Sequence, residues 1–168
     1  MQVKDRVLAA LEAERGTYLS GQALAQSLQV SRNAVWKAIG QLREKGYPIQ
    51  AVPNRGYCLA PESAILSPQS IARYLTVPGL TVEVHDQVTS TNTLLRQRAE
   101  EGAAEGHIVV ATAQTQGRGR RDHRFFSPAD TGLYLSILLR PDLAARDALL
   151  LTTCAAASVA LAIEECAG

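Results

Sequence analysis

The sequence predicts an α+β protein in two parts, on three observations. Residues 3–46 hold apolar positions at helical spacing between cap residues, residues 49–60 alternate like a hairpin, and the remainder switches between strand-like alternation and helix-like runs. At 168 residues, 46% hydrophobic and 20% charged, the chain can bury a core, and two small domains suit that length as well as one.

Val3, Val7, Ala10 and Leu11 recur at helical spacing, and Gly16 closes this first helix. Ser20 N-caps a second helix over 21–28, with Ala23, Leu24 and Leu28 on its apolar side. After a tight turn at Gln29 and Val30, Ser31 caps a third, in which Val35, Ile39 and Leu42 face inward and Gly46 ends the run. Two short helices, a tight turn and a longer helix make a helix-turn-helix. Residues 49–52 and 57–60 read as strands around a tip at Pro53-Asn54-Arg55-Gly56, which adds a wing. The expected DNA contacts are Ser31, Arg32, Asn33, Lys37 and Gln41 on the third helix and Arg55 on the wing, side chains able to reach phosphates or base edges. Trp36 has two readings, packed on the first helix or exposed on the DNA side.

A formal net charge of +1 hides an asymmetry, because residues 1–60 hold eight Lys/Arg against four Asp/Glu and residues 61–168 nine against twelve. A basic first third suits a polyanionic partner. Every lysine, at Lys4, Lys37 and Lys45, lies in that third, so any chemistry in the remainder proceeds without lysine. Cys58, Cys154 and Cys166 are odd in number and widely spaced, and His85, His107 and His123 lack ligand spacing, so neither a disulfide framework nor a metal site is expected. No stretch reads as a membrane span, since the longest apolar run, 149–163, is interrupted by Thr152, Thr153 and Ser158, and the N-terminus lacks a signal-peptide core. A cytoplasmic protein with no membrane partner is expected.

Pro61, Ser63, Ser67 and Pro68 punctuate a linker over 61–68, after which 69–75 reads as a short helix docking the two parts. Strands are expected at 80–88, 107–113 and 133–140, and helices at 92–101 and 144–166. Leu133, Leu135, Ile137 and Leu139 alternate with Tyr134, Ser136 and Leu138, which suits a sheet covered on one face. The last helix is alanine-rich and apolar around much of its circumference, and is expected to be buried against that sheet.

The run Gln114-Thr115-Gln116-Gly117-Arg118-Gly119-Arg120-Arg121, followed by Phe125-Phe126-Ser127-Pro128, combines backbone freedom with dense positive charge. Gly117 and Gly119 permit positive φ and a close approach of N–H groups to a ligand, while Arg118, Arg120 and Arg121 can each grip phosphate or carboxylate with a two-pronged fork. The spacing matches neither a P-loop nor a G-x-G-x-x-G turn, and a solvated basic turn or a nucleic-acid contact stays open as a reading. Thr89-Ser90-Thr91-Asn92 sits at a strand-to-helix junction, where capping accounts for at least one of these side chains. Three consecutive short polar side chains exceed what one cap requires. With Gln114 and the arginine loop they define a polar pocket under a cationic lid, suited to a small ligand that hydrogen-bonds at one end and is anionic at the other.

On these residues the chain resembles the bifunctional biotin protein ligases that also repress the biotin operon. Val30-Ser31-Arg32-Asn33-Ala34-Val35-Trp36-Lys37 through Leu42 is similar to that family's recognition helix and Gly56-Tyr57 to its wing. Ser90-Thr91-Asn92 is similar to its biotin-binding turn, and Gly117 to Arg121 with Phe126-Ser127-Pro128 to its adenylate loop. The resemblance implies a winged helix-turn-helix domain over 1–60 and, over 69–168, part of a class II synthetase-like α/β catalytic domain of the biotin/lipoate ligase type. It implies that Ser90 and Thr91, with Asn92 beside them, hydrogen-bond the ureido ring of biotin while Gln114 lines the same pocket. Arg118 and Arg120, on the turns made by Gly117 and Gly119, would hold carboxylate and phosphate as biotin and ATP form biotinyl-5′-adenylate with Mg²⁺, and Arg121 completes the catalytic cations. The partners implied are operator DNA, the biotin carboxyl carrier domain of a carboxylase, and a second copy of the chain, the homodimer forming when the adenylate is bound and acts as corepressor.

Three positions depart from that pattern. Thr89 stands where the family has Asp, Asp122 where Gly is common, and Phe125 where Trp is expected; Asp122 could pair with Arg121 or Arg124. The family's Lys-Trp-Pro-Asn-Asp motif and its small C-terminal β-domain are not found in these 168 residues. The chain is therefore expected to be the N-terminal portion of a longer protein and, alone, a weak or inactive ligase. Two other readings stand beside this one: a winged-helix regulator whose α/β part senses a ligand without catalysis, and a lipoate ligase-like enzyme.

Overall fold

A computed structural model of the chain describes residues 2–119, 123–129 and 131–167. Its first three helices, α1 (Val3–Ala13), α2 (Gly21–Ser27) and α3 (Arg32–Glu44), start where the cap residues require. The Ser20 and Ser31 hydroxyls accept from the amides of Ala23 and Ala34 at 3.0 and 3.1 Å. Between them Gln29 takes the left-handed conformation, φ 52°, and turns α2 into α3. At 7 residues α2 is far too short to be stable alone. It is held by a core of Val7, Leu11, Leu24, Val35, Ile39, Leu42 and Leu59, all nearly inaccessible. Each such burial is worth roughly 1.5–3 kcal/mol.

The wing follows as β1 (Ile49–Val52) and β2 (Gly56–Leu59), an antiparallel pair in the register Ile49↔Leu59 to Val52↔Gly56, with Leu19 bridging Tyr57 on the other side of β2. Asn54 turns the tip at φ 63°. At Gly56, φ is 106°, and a Cβ would run into the carbonyl oxygen of Leu19, so glycine is required there.

The segment after the wing is packed, not a loose tether. Ser63 and Ser67 are buried, Ile65 joins the core, and Ser67 and Ser70 cap each other to start the short α4 (Pro68–Ala72), which ends three residues before the expected 75. Arg15 ties α1 to this joint, donating to Glu12 and to the Ser63 carbonyl at 2.9 Å, and Arg73 approaches Glu12 at 3.8 Å. Burial beside the joint raises the Tyr47 phenol above its ordinary value of 10.0. The folded chain thus favours the neutral phenol, so this contribution is intact below about pH 10 and is lost as pH rises through the raised value. Tyr47→Phe is expected to lessen the fall in Tm between neutral and strongly alkaline buffer; an unchanged alkaline profile would count against it.

The second half places β3 (Thr81–His85), α5 (Thr91–Glu100), β4 (His107–Ala111) and β5 (Tyr134–Ile137) in a sheet of order β3-β4-β5. β3 and β4 are parallel and joined through α5, and β5 runs antiparallel to β4. The first strand is shorter than the expected 80–88 because regular pairing stops at Asp86, whose carbonyl is taken by the Thr112 hydroxyl at 2.7 Å; one further bridge joins Val88 and Gln114.

The alternation expected around β5 is present, and it is the set with Tyr134 and Ser136 that is covered. Tyr134, Ser136 and Leu138 are half-buried, whereas Leu133, Leu135, Ile137 and Leu139 are 41–56% exposed. The Ser136 hydroxyl reaches Thr91 at the start of α5, at 2.9 Å, and that bond commits the polar set to the covered side. Residues 139–168 form a separate compact unit, a 3-10 turn (Ala145–Asp147) leading into α6 (Ala148–Ala167). The burial expected for this helix is not seen, Leu149 being 77% and Leu161 65% exposed, because among the described residues its own unit holds, besides the helix, one short 3-10 turn, too small to cover it. Ala148–Cys166 is also long and apolar enough to cross a membrane by length and composition, against the expectation that no stretch would be. The hydroxyls taken as interruptions are accommodated by a helix, as Thr153 shows by donating back to the Leu149 carbonyl at 3.3 Å. Core helices of soluble proteins have the same length and composition.

Candidate functional site

The strand-to-helix junction of α5 is a closed hydrogen-bond knot. The Thr91 amide donates to Gln114 Oε1 at 2.8 Å and the Thr91 hydroxyl to the same atom at 3.2 Å, which fixes the orientation of the Gln114 amide because only its oxygen accepts. Gln114 Nε2 then donates to Ser127 Oγ at 3.1 Å, and Ser127 donates to the Phe125 carbonyl at 3.1 Å. Ser136 closes the other side, 2.9 Å from Thr91 Oγ1 and 3.4 Å from Asn92 Oδ1. Ser90 occupies the N-cap position but makes no side-chain cap bond, and it is 2% exposed. Capping therefore does not consume its hydroxyl. Thr89 and Asn92 are exposed.

The glycine-arginine segment folds back on itself as a narrow ribbon. Phe125 donates to the Gly117 carbonyl at 2.8 Å, Gly119 to that of His123 at 2.7 Å, and Gln114 pairs with Ser127 at its base. The positive φ expected at Gly117 and Gly119 is absent. Gly117 is needed for close approach instead, since a Cβ there would lie 2.5 Å from both the Phe125 carbonyl and Ser127 Oγ. Arg118 is exposed and shares a recess of about 220 Å³ with Gln116, His123 and Arg124. A neighbouring recess of about 290 Å³ is lined by Gln114, Phe126, Ser127 and Pro128 among others. Among the described residues, Ser90, Thr91 and Asn92 line neither of these two recesses; Gln114 and Ser127 connect the turn to the ribbon by hydrogen bonds. Arg120, Arg121 and Asp122, and any pairing of Asp122, lie outside the described residues. Among the described residues no group of His, Cys, Asp and Glu is arranged to hold a metal ion.

Ser136, bonded to Thr91, and Arg124, which lines the recess beside Arg118, were not assigned to the site by the sequence reading, and the bond from Gln114 to Ser127 was not foreseen. A serine at an inward position of an otherwise apolar strand was the available signal for Ser136.

On the helix-turn-helix, Arg32, Asn33, Lys37 and Gln41 are exposed along one face of α3. Ser31 spends its hydroxyl on the cap. Arg55 lies over the Tyr18 ring at 4.2 Å, and the Tyr18 hydroxyl donates to Gln50 at 2.7 Å, so the wing cation is held in place by an aromatic that the sequence reading missed. Trp36 is 64% exposed, which decides between its two readings in favour of the outer face. It lines a cleft of about 710 Å³ between α3, the start of α2 and the wing.

Comparison with known proteins adds the lineage. Residues 4–58 match the model of the HTH domain, and residues 84–166 match the model of the biotin/lipoate A/B protein ligase family. The chain is 39% identical over 153 residues to the bifunctional ligase/repressor BirA of Bacillus subtilis (strain 168), covering 90% of the chain and 47% of that protein. It is 37% identical over 125 residues to the BirA of Escherichia coli (strain K12), covering 74% of the chain and 38% of that protein. It thus spans less than half the length of these relatives. The chain thus joins a segment that matches the HTH domain, in this order, to one that matches the biotin/lipoate A/B protein ligase family, and over the part it spans it is similar to the bifunctional ligase/repressor BirA proteins.

Proposed function

We propose that this chain is part of a biotin protein ligase that also represses transcription in response to biotin, with residues 1–60 binding DNA, 61–68 joining the halves and 69–168 contributing to the ligase. The observation that carries the reading is the chain of hydrogen bonds from Thr91 through Gln114 and Ser127 to the backbone of the arginine ribbon. It links a turn suited to a neutral, hydrogen-bonding ring with a loop suited to anions.

In this reading Ser90 and Thr91 hydrogen-bond the ureido group of biotin, with Asn92 and Gln114 bracing them. Gly117 and Gly119 let the ribbon close over the nucleotide, and Arg118 and Arg120, with Arg121 beside them, hold the carboxylate and the α-phosphate. Attack of one anion on another needs fixed cations that stabilise the developing charge. Mg²⁺ would arrive on the ATP phosphates and help to neutralise the developing charge. Biotinyl-5′-adenylate would serve as the intermediate passed to a carrier-domain lysine and as the corepressor that favours a homodimer on a two-fold operator. The protein would act in the cytoplasm.

Pyrophosphate release from biotin and MgATP by the full-length gene product tests the enzyme reading; no biotin-dependent release would sink it and leave the ligand-sensing regulator. Lipoate outcompeting biotin would favour the lipoate ligase-like reading.

The DNA half has its own test. Arg32→Ala is expected to cost about 1–3 kcal/mol on the preferred sequence and less on random DNA, while Arg55→Ala weakens all sequences alike and lowers the salt slope by about 1. Identical losses for both variants on both DNAs would overturn these roles.

A further inference from the structure

The outer face of α3 carries a feature that phosphate contacts do not account for. Trp36 stands 64% exposed in the cleft beside Arg32, Asn33 and Asn54, and a large exposed indole on a helix is an informative departure from ordinary burial. One turn further along the same face lies Gly40, also exposed, and a Cβ built there would meet nothing within 4 Å. Its backbone is not in the left-handed region. Neither packing nor backbone geometry calls for glycine at that position, and alanine would be the better helix former. A surface approaching from outside the molecule is what a missing side chain beside an indole would accommodate.

We propose that Trp36 and Gly40 form a flat apolar strip that lies against duplex DNA in the major groove and reads thymine methyl groups, an assignment that rests on the DNA-binding reading above. Apolar side chains in the major groove discriminate thymine by contact with its C5-methyl group, the one base-edge feature that hydrogen bonding does not report. Arg32 and Asn33, on the same face, supply the donors for neighbouring base edges, and Lys37 is placed for a phosphate. Gly40 lets the groove wall come close enough for the indole to touch.

Trp36 is the only tryptophan in the sequence, so its emission reports this contact directly. A fluorescein-labelled duplex, enriched from a randomised pool by the wild-type chain, is titrated with that chain while label anisotropy, tryptophan emission and acrylamide quenching are followed. Emission and acrylamide access are expected to fall with the same midpoint as the anisotropy rises. Replacing thymine by deoxyuridine should weaken wild-type binding about fourfold per methyl contact, the worth of one buried carbon group, and leave Trp36→Ala nearly unaffected. Gly40→Ala should raise Tm and yet weaken binding several-fold, a combination that a purely structural glycine would not give. Binding by anisotropy with Trp36 emission and acrylamide access unchanged overturns the proposal and leaves DNA binding intact. Equal deoxyuridine losses in wild type and Trp36→Ala overturn it as well. No anisotropy change with any duplex, whether biotinyl-5′-adenylate is present or absent, removes the DNA-binding reading itself, and this assignment with it.

Discussion

Glu12→Ala is expected to destabilise the chain by about 3–5 kcal/mol, the range for removing one partner of a buried ion pair. Glu12 is 1% exposed, and its two oxygens accept from Arg15 Nε at 2.6 Å and Arg15 Nη2 at 3.0 Å. The Glu12 hydrogen bond raises the Arg15 pKa above its ordinary value, so the pair is a true ion pair. Truncation would leave that cation, itself 12% exposed, facing a cavity with the Ser63 carbonyl as its remaining hydrogen-bond partner among the described residues and Arg73 nearby as a like charge. Because the pair joins α1 to the segment before α4, the damage should include the joint as well as the helix. A double replacement, Glu12→Met with Arg15→Leu, should recover much of the loss, since apolar side chains of similar volume avoid the desolvation that the ions incur. Urea denaturation reads both. A loss below about 1 kcal/mol for the single variant would mean that the pair is solvated in solution and behaves as a surface salt bridge.

The same network shows which parts of the fold were legible in sequence. α1 to α3 and the wing were, because caps, helical period and turn residues act over a few positions: Ser20 and Ser31 bond to amides three residues on. Partners far apart in sequence were not. Alternation in β5 says which residues share a face but not which face α5 will cover, and that choice depends on Ser136 meeting Thr91 across 45 residues. Charge counting overstated the cationic surface offered to DNA for a similar reason. Arg6 is spent on the Leu28 carbonyl, Arg15 on Glu12 and Arg43 on the Ile49 carbonyl, so three of the first third's cations brace the fold. At the candidate site the residue types were readable, and Gln114 sits between the turn and the arginine loop as its position suggested. Its hydrogen bonds to Thr91 and Ser127 are tertiary facts, and they add to its place in the lining of a recess a link between the turn and the ribbon.

That link makes Gly117→Ala the second large expected effect. The added Cβ would stand 2.5 Å from the Phe125 carbonyl, 2.5 Å from Ser127 Oγ and 3.1 Å from Gln114 Nε2, distances at which the surroundings must move. Two of these three atoms are hydroxyl and amide groups of the knot itself, and the third is the backbone that pairs with Gly117. Relief therefore requires either opening the ribbon at Phe125 or pushing Ser127 off Gln114. The first displaces Arg118, and the second frees Gln114 from the position in which it braces Thr91. Either movement is on the order of 1 Å, and misplacement of that size at a group that positions substrate costs about 10²-fold in rate. Biotin-dependent pyrophosphate release by the full-length gene product is expected to fall by about that factor, while Tm changes little because the ribbon beyond Gly117 is largely exposed. Gly119→Ala supplies the contrast. Among the described residues its Cβ would come no closer than 3.2 Å, to the His123 carbonyl, so that neighbour need yield only a few tenths of an ångström and the loss should be several-fold smaller. Equal activity in the two variants would show that the Gln114–Ser127 link does not transmit the position of the turn to the arginine ribbon, and the site would then have to be understood as two independent halves.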